Sequence, residues 1–370
     1  WLRLWEAAPS PSGLWLRLWE AAPSPSGLMN TPAYFMRRAM DLALKAEGQT
    51  FPNPLVGALV VKAGKIIAKG YHKKAGLSHA EVEALDQAGK RALGADLYVT
   101  LEPCTHYGKT PPCVDRILEA GIRRVFTGMI DPNPLNNGKG IKLLREHGIK
   151  TECGILEDEL RKINQPFLKY IIRKVPYVTV KVGQSLDGKI ALKTGESQWI
   201  TSKPAREYSH SKRRLYDGIM VGVNTVIRDN PFLSGGEPDR PLIKIVADSS
   251  LSTPAEANIF KKPGEVIIAS LREKSGQETE SRSLLFAKAR ILEVKENNGQ
   301  LNLYDLLKKL GRLGLCNILV EGGGSLIGSF FDYGLVDKVM FFISPSIIGG
   351  KDSISSVMGR GISRLDKAVK

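Results

Sequence analysis

Long apolar runs, cysteines and blocks of like charge are all scarce in this 370-residue sequence. No apolar segment approaches the roughly 20 residues that a membrane-spanning helix requires, which excludes a helical membrane protein. Four cysteines are too few to build a disulfide scaffold in so long a chain. A secretory signal is also missing, so we expect a cytoplasmic protein with reduced thiols.

The lysines and arginines are scattered along the chain, although they give it a formal net charge of +15 and a pI near 9.6. Such a charge attracts nucleic acids, but it equally suits pockets for small phosphorylated ligands or a plain lysine-rich surface. Charge alone therefore leaves these alternatives open. The 42% hydrophobic and 25% charged content is typical of a globular protein.

The first 28 residues form a perfect tandem repeat, because residues 1–14 recur unchanged as residues 15–28 and Met29 follows at once. A repeat of this kind ending at a methionine is typical of an expression leader and not of a folded unit. We therefore exclude residues 1–28 from the fold. About 340 residues remain, a length that indicates two domains of ordinary size.

The first part of the remaining chain alternates helices and strands, a pattern that predicts a layered α/β domain. Thr31 and Pro32 form a helix start, with an N-cap followed by proline at the first helical position. The predicted elements are a helix at 32–46, strands at 55–61 and 66–70, a helix at 79–88, a strand at 97–101, a helix at 114–120, a strand at 125–129, a helix at 141–147 and a strand at 150–154.

A domain boundary is predicted near residues 164–176, where a helical run ends at Val175-Pro176. The predicted domains are 29–173 and 174–370, and the end at Lys370 is compatible with a truncated C-terminus. The second domain also alternates strands and helices. Its predicted elements are strands at 177–182, 218–221, 242–247, 266–269, 318–320 and 338–343, and helices at 203–215, 303–310 and 325–331.

Three potential metal ligands lie in the first domain: His79, Cys104 and Cys113. A catalytic zinc site takes three such ligands and a water molecule, whose pKa the metal lowers to about 7. Glu81 follows His79 by two residues and is predicted to carry a proton from that water to a departing amine. The order His-x-Glu, Pro-Cys, Cys, with each residue expected at a helix start, indicates a zinc deaminase.

Other interpretations exist for each of these residues alone. An isolated His-x-Glu usually lies on a solvated helix face, and a lone buried cysteine is usually a small hydrophobic residue. A structural zinc site would need a fourth ligand, for which His106 is a candidate only two residues from Cys104. Cys153 and Cys316 have no evident partner and are expected to be core or surface thiols.

In the second domain, Val320-Glu321-Gly322-Gly323-Gly324-Ser325 predicts a strand, a glycine turn and a helix start. Backbone N–H groups at such a helix end favour a phosphate, although a tight strand–helix turn explains the glycines equally well. The segment does not contain G-x-G-x-x-G, so a Rossmann domain is not supported.

In the segment LEPCTHYGKTPPC at 101–113, the residues 105–112 separate Cys104 from Cys113. Nucleic-acid and nucleoside deaminases instead carry a P-C-x-x-C pair, with only two residues between the cysteines. With PNPLVG at 52–57, GYH at 70–72 and DPNP at 131–134, this segment resembles the bifunctional riboflavin-biosynthesis enzymes of the RibD type. VGQSLDGK at 182–189, GESQWITS at 195–202, GVNT at 222–225 and RDNP at 228–231 resemble the reductase half of the same family. The resemblance runs from Met29 to the C-terminus.

The resemblance implies a cytidine-deaminase-like three-layer α/β/α domain followed by a dihydrofolate-reductase-like α/β domain. It implies zinc-dependent hydrolytic deamination of 2,5-diamino-6-(5-phosphoribosylamino)pyrimidin-4-one, and then NADPH-dependent reduction of its ribosyl group to ribityl. The deaminase substrate would be held by Asn53, His72, Asp131 and Asn133. Local sequence alone would make Asn53 and Asn133 turn residues and His72 a strand end.

For the reductase, the resemblance implies two sets of contacts. NADP would contact Gly183, Trp199, Thr225, Asp229, Gly323, Gly324, Ser325, Leu326, Ile327, Gly328 and Ser329. The sugar phosphate would contact Ser197, Arg213, Leu233 and Glu321. A guanidinium suits a phosphate, although Arg213 could instead be a solvated helix charge and Trp199 a core anchor. No residue of this half stands out as a proton donor.

We therefore predict a bifunctional enzyme with Zn²⁺ and NADPH as cofactors and phosphorylated pyrimidines as substrates. We expect a homo-oligomer that binds neither nucleic acid nor membrane. Two alternatives stay open: a nucleic-acid or nucleoside base deaminase with an appended binding domain, and a zinc-stabilised binding protein without catalysis. The delayed second cysteine opposes the first alternative, and the presence of Glu81 opposes the second.

Overall fold

The computed structural model describes residues 30–107, 111–237, 240–271 and 280–369. The predicted leader at 1–28 lies outside the described residues. The helices are Pro32–Ala43 (α1), Ala80–Ala88 (α2), Cys113–Glu119 (α3), Lys139–Glu146 (α4), Glu157–Ile163 (α5), Gln165–Arg173 (α6), Lys203–Lys212 (α7), Val223–Asp229 (α8), Glu280–Lys288 (α9), Leu303–Arg312 (α10) and Gly324–Asp332 (α11). Short 3₁₀ turns lie at Leu44–Ala46, Gly89–Ala92, Arg213–Leu215, Asn258–Phe260 and Leu365–Lys367.

Within these described ranges, the strands form two main sheets and three small ribbons. The strands are Gly57–Lys62 (β1), Lys65–Tyr71 (β2), Asp96–Leu101 (β3), Arg124–Met129 (β4), Lys150–Cys153 (β5), Tyr177–Gln184 (β6), Lys189–Ala191 (β7), Gly218–Gly222 (β8), Gly236–Glu237 (β9), Arg240–Pro241 (β10), Ile243–Ala247 (β11), Val266–Leu271 (β12), Arg290–Val294 (β13), Glu296–Asn297 (β14), Gln300–Leu301 (β15), Asn317–Gly322 (β16), Lys338–Ile343 (β17) and Ile354–Ser355 (β18).

The first sheet has the strand order β2-β1-β3-β4-β5. Strand β1 is antiparallel to both of its neighbours, while β3, β4 and β5 are parallel. Every residue of β3 is buried, as expected for a central strand that is covered on both faces. The parallel arrangement brings the loops after β3 and β4 to one edge of the sheet.

The first helix begins as predicted, because the Thr31 side chain accepts a hydrogen bond of 3.2 Å from the Tyr34 backbone N–H. Its α-helical part ends at Ala43, and the predicted last turn is the 3₁₀ segment Leu44–Ala46. The other predicted elements of this half lie within a few residues of their predicted bounds. The segment 164–176, where the domain boundary was predicted, contains α6, which is preceded directly by α5.

The second sheet has the order β13-β12-β11-β8-β16-β6-β17, and all its pairs are parallel. One strand of this sheet, β13, was not predicted, and neither were the helices α8 and α9 of the same half. Helix α8 follows β8 without an intervening loop and has only seven residues. Its sequence is too short for a helical period to stand out from the preceding apolar strand.

Within the part of the chain that the structure describes, no helix combines the length and the apolar character that crossing a membrane would require. The two sheets carry separate apolar cores. The first core includes Met36, Leu97 and Leu160, and the second includes Val180, Leu306 and Phe330.

A buried asparagine joins the α5–α6 junction to the loop before β1. The Oδ1 atom of Asn164 accepts a hydrogen bond of 2.8 Å from the Leu55 N–H, and its Nδ2 group donates to the Leu55 carbonyl at 3.2 Å. Both residues are buried, so the side chain of Asn164 satisfies backbone groups that water cannot reach. This pair fixes the loop that contains Asn53.

We predict that Asn164→Ala lowers the free energy of unfolding by about 2–4 kcal/mol, because it leaves two buried backbone groups without partners. Urea unfolding followed by circular dichroism measures the change. Thr127→Val is the matched control, since its buried hydroxyl has no hydrogen-bond partner among the described residues. The control variant should be as stable as the parent protein or more stable, and an equal loss in both variants would contradict the assigned role of Asn164.

Candidate active sites

The first candidate site is a cavity of about 360 Å³ beside the first sheet. Its lining includes the predicted residues Asn53, His72, His79, Glu81, Cys104, Asp131 and Asn133. Cys113 lies behind them and is fully buried. The structure therefore brings together all eight residues that were predicted for the deaminase.

Three ligand atoms meet at this cavity. The Nδ1 atom of His79 lies 3.1 Å from the Cys113 Sγ atom and 3.5 Å from the Cys104 Sγ atom, and all three atoms lie within 4.8 Å of one another. A tetrahedral zinc ion bound by nitrogen and sulfur separates those atoms by about 3.6 Å. The three residues thus fit a zinc ion, and none of the described residues supplies a fourth ligand to the cluster.

The positions of these residues differ in one respect from the prediction. His79 is the N-cap of α2, Glu81 lies in its first turn and Cys113 is the first residue of α3. The expectation that all four residues begin helices is wrong for Cys104, which lies in the loop after β3. Its position depends instead on tertiary contacts, because the Cys113 N–H donates to its sulfur atom at 3.4 Å.

The two thiols have opposite protonation tendencies. A hydrogen bond from Cys113 lowers the pKa of the Cys104 thiol to about 4, while the same interaction and burial raise the pKa of Cys113. A hydrogen bond with Cys104 also raises the pKa of His79. One thiolate is therefore already favoured among the protein groups, and thiolate is the form that binds a metal.

Glu81 is almost fully buried beside the cluster, with 4% of its surface exposed. Burial, and next the neighbouring Cys104, raise the pKa of its carboxyl group to about 7. A carboxyl group with a pKa near neutrality can both accept and donate a proton, which is what a general acid and base requires.

Asn53 and His72 form a hydrogen-bonded pair at the same cavity. The Nδ1 atom of His72 lies 3.0 Å from the Ser78 carbonyl, which can only accept, so this nitrogen carries the proton. Burial lowers the pKa of His72 and favours the neutral ring. Its Nε2 atom then accepts from the Asn53 Nδ2 group at 3.0 Å, which leaves the Asn53 Oδ1 atom as an acceptor for a ligand.

Glu102 and Asn136 were not predicted, yet they hold the loop that contains Asp131 and Asn133. The buried Glu102 carboxylate accepts backbone hydrogen bonds from Asp131 and Gly138 of this loop and from Gly140 and Ile141 in the first turn of α4. Asn136 is fully buried and donates to the Pro103 carbonyl, while its Oδ1 atom accepts from Thr105. It thereby joins the Asp131 loop to the loop of Cys104.

Further residues line this cavity without having been predicted as contacts. His106 is one, and its Nδ1 atom is buried without a hydrogen-bond partner among the described residues. Phe167, Tyr170 and Ile171 of α6 are three more. No sequence signal marked these three residues, because α6 lies within the segment that was predicted as the domain boundary.

The second candidate site is a cleft of about 1110 Å³ at the carboxyl ends of the parallel strands β6, β8 and β16. Ligands commonly bind at this edge of a parallel sheet. Gly323 precedes α11 with a φ of 84°, a conformation that favours glycine. A Cβ atom on Gly322 would lie 3.1 Å from the Thr225 Oγ1 atom, so glycine allows α8 to pack closely there.

Arg213 and Glu321 form a buried ion pair in this cleft. The Nε and Nη2 atoms of Arg213 donate to the two carboxylate oxygens of Glu321 at 2.9 and 2.8 Å, and Nη1 donates to the Ser234 carbonyl. Arg213 is 8% exposed, which excludes a solvated helix charge. Burial would raise the pKa of Glu321, but the hydrogen bonds and charge of Arg213 hold it below its ordinary value.

Lys181 is a third charged group at this point and was not predicted. Its Nζ atom lies 4.0 Å from the Glu321 carboxylate, and burial lowers its pKa. Arg213 uses three of its five N–H donors in the contacts above, so two are left for a ligand. The group is therefore suited to an anion such as a phosphate.

The other predicted residues of this half lie around the same cleft, with one exception. The Ser197 hydroxyl donates to Asp229 at 3.0 Å. Trp199 is 67% exposed, which excludes a core anchor, and the Arg206 guanidinium lies 4.1 Å from its ring centroid. Gly183, Thr225, Leu233 and residues 323–327 and 329 also line the cleft. Gly328 does not, since it packs against the Met358 backbone.

Two family models match the chain. A model described as "Cytidine and deoxycytidylate deaminase zinc-binding region" matches residues 29–129, and one described as "RibD C-terminal domain" matches residues 176–369. The first match contains all three metal ligands and Glu81, which agrees with the zinc geometry. Together they confirm the predicted fold classes of the two halves.

Relatives and solved structures cover nearly all of the chain. The riboflavin biosynthesis protein RibD of Aquifex aeolicus is 42% identical over 340 residues, which are 91% of this chain and 92% of the relative. The RibD protein of Escherichia coli is 39% identical over 330 residues, covering 85% and 88%. A structure of Acinetobacter baumannii RibD is 33% identical, with a TM-score of 0.80 and coverage of 92% and 93%.

A solved structure from Thermotoga maritima is described as a diaminohydroxyphosphoribosylaminopyrimidine deaminase/5-amino-6-(5-phosphoribosylamino)uracil reductase. It is 35% identical, with a TM-score of 0.79, and the match covers 92% of this chain and 93% of that one. Likeness of this extent, over both halves and both clefts, shows that the chain belongs to the RibD family of riboflavin-biosynthesis enzymes, which join a deaminase and a reductase in one polypeptide.

Proposed function

We propose that the two clefts divide the chemistry of the family between them, with the deaminase in residues 29–173 and the reductase in residues 174–370. The observation that carries this proposal is the convergence of His79, Cys104 and Cys113 beside the buried Glu81. The substrate of the first step is the diaminohydroxyphosphoribosylaminopyrimidine that the Thermotoga relative is named for. Its product is the substrate of the second step.

In the first cleft, His79, Cys104 and Cys113 would hold zinc. A bound zinc ion supplies a water molecule of lowered pKa. Glu81 takes a proton from the attacking water and delivers it to the exocyclic nitrogen, which leaves as ammonia. The Asn53 Oδ1 atom and the Asp131 carboxylate accept hydrogen bonds from the substrate, and Asn133 holds its ribose phosphate.

In the second cleft, Gly183, Thr225, Asp229 and the start of α11 would hold NADPH. A bound NADPH supplies the hydride that reduces the ribosyl carbon. Arg213 binds the substrate phosphate through its two remaining N–H groups, while Glu321 fixes the orientation of the guanidinium. Ser197 and Leu233 complete the proposed sugar-phosphate contacts.

The positive charge of the chain fits phosphorylated ligands in both clefts. A base deaminase with an appended nucleic-acid-binding domain is not favoured, because residues 176–369 match the RibD C-terminal domain instead. We further propose a cytoplasmic homo-oligomer that binds no nucleic acid. The need for reduced thiols at the metal site supports the cytoplasm, and the exposed Phe341 and Ile343 on the edge strand β17 support self-association.

We predict that Glu81→Gln lowers the rate of ammonia release at least a thousandfold, because the amide cannot transfer the proton. Zinc content, measured by atomic absorption, should stay at one ion per chain, and NADPH oxidation with the deaminated substrate should be unchanged. Ammonia release at the parental rate would contradict the role of Glu81 and restore the interpretation as a binding protein without catalysis.

We predict that Arg213→Lys raises the KM of the reductase step about tenfold, because an ammonium cannot replace the planar fork that holds Glu321 and a phosphate together. NADPH oxidation measures this effect. Arg214→Lys is the matched control, since Arg214 is the next residue in the chain, its side chain is exposed and it does not line the cleft. Ammonia release should be unaffected in both variants. Equal reductase KM values for Arg213→Lys and Arg214→Lys would contradict the assignment of Arg213 to the substrate phosphate.

We predict that the KM for ammonia release rises about tenfold between pH 7 and pH 5. Burial raises the pKa of Asp131 to about 6, so the carboxylate that accepts from the substrate is lost as the pH falls through that value. Asp131→Asn should give a high KM that is independent of pH over this range. Zinc content measured at each pH separates this effect from metal loss. A KM of the parent protein that stays constant between pH 7 and pH 5 would contradict the prediction.

A further inference from the structure

The deaminase cleft has one wall that does not come from the deaminase sheet. Phe167, Tyr170 and Ile171 line the cavity, and all three belong to α6, the last helix before the second sheet begins. Phe167 is buried, and the other two are half-buried at the cavity. The polar contacts of the cleft come from other segments, so α6 supplies an apolar wall.

The second half of the chain anchors this helix at two points. The Tyr170 hydroxyl donates a hydrogen bond of 3.2 Å to the Gly311 carbonyl on α10. The Lys169 ammonium pairs with the Asp337 carboxylate, and only 14% and 24% of these side chains are exposed. A Cβ atom on Gly311 would lie 2.2 Å from the Lys174 carbonyl, so α10 packs directly against the end of α6.

The loop that contains Asn53 touches the second half as well. Gly48 packs against the backbone of Arg214 and Leu215, where an added Cβ atom would lie 2.7 Å from the Arg214 carbonyl. The Arg240 guanidinium lies 5.8 Å from the ring centroid of Phe51. Asn164 joins this loop to the α5–α6 junction. The second half of the chain therefore contacts both the Asn53 loop and α6.

From these contacts we propose that the reductase half completes the deaminase active site. It holds α6 so that Tyr170 and Ile171 enclose the pyrimidine nucleotide, and these two residues position the substrate and set the size of the cleft. The proposal rests on the assignment of the deaminase to the first cleft. In a cavity of about 360 Å³, removing or loosening one wall leaves the substrate free to leave its place beside Glu81.

Two matched pairs of variants in the full-length protein test this wall. Ile171→Ala removes a side chain that lines the cavity, while Ile172→Ala makes the same change at the next position, where the side chain is 62% exposed and does not line it. Tyr170→Phe keeps the ring and removes only the bond to Gly311. Its control is Tyr304→Phe on α10, where the side chain is 50% exposed.

We expect Ile171→Ala to raise the KM for ammonia release about fivefold to thirtyfold, from the loss of apolar contact. Tyr170→Phe should raise it about threefold to tenfold, from the loss of one hydrogen bond. Calorimetric affinity for the deaminated product should fall by similar factors, and Ile171→Val should recover most of the loss. Reductase kcat and KM should stay at the parental values in all variants, and the two controls should match the parent protein.

Deaminase KM values for Ile171→Ala and Tyr170→Phe that equal those of their controls would overturn the proposal. A parallel loss of reductase activity would overturn it too, since α6 would then have a general structural role. Absence of ammonia release from the parent protein would instead contradict the proposed deaminase itself, so the two failures are distinguishable.

Discussion

The parallel arrangement of strands decides where both sites lie. In the first sheet, Glu102 and Cys104 follow β3, and Asp131 follows β4, so neighbouring loops meet at one edge. In the second sheet, the helix starts that follow β8 and β16 meet in the same way. The carboxyl ends of neighbouring parallel strands lie at the same edge of a sheet. Residues that follow these strands are therefore brought within hydrogen-bonding distance, although they are far apart in the chain.

Each site also contains a buried carboxylate that is held by several donors. Glu102 accepts four backbone hydrogen bonds and thereby fixes the substrate loop, while Glu321 accepts two from Arg213. A buried charge without such partners would be unfavourable by several kcal/mol. These bonds therefore offset the desolvation of the charge and at the same time give the ligand-binding groups a fixed geometry.

The two halves have separate apolar cores, but α6 contacts both halves, since Leu168 packs against the first core while Tyr170 and Lys169 bond to residues of the second half. It lines the first cavity with Tyr170 and contacts α10 through the hydroxyl group of the same residue. A domain boundary between residues 173 and 174 separates the chain of the first sheet from that of the second sheet. The first cavity is nevertheless lined by side chains of α6, which the second half holds in place. Fusion of the two activities then has a structural consequence beyond keeping them in one chain.

Local signals in the sequence determined most of the elements and the reacting groups: the N-cap Thr31, strand Lys338–Ile343, and the order of His79, Glu81, Cys104 and Cys113. The resemblance supplied the substrate contacts. Only the tertiary structure decided the roles of Asn136, Asn164 and Tyr170, whose partners Thr105, Leu55 and Gly311 are 31, 109 and 141 residues away. Propensity and periodicity act over a few neighbouring residues, whereas such pairs form only once the sheets and helices have packed.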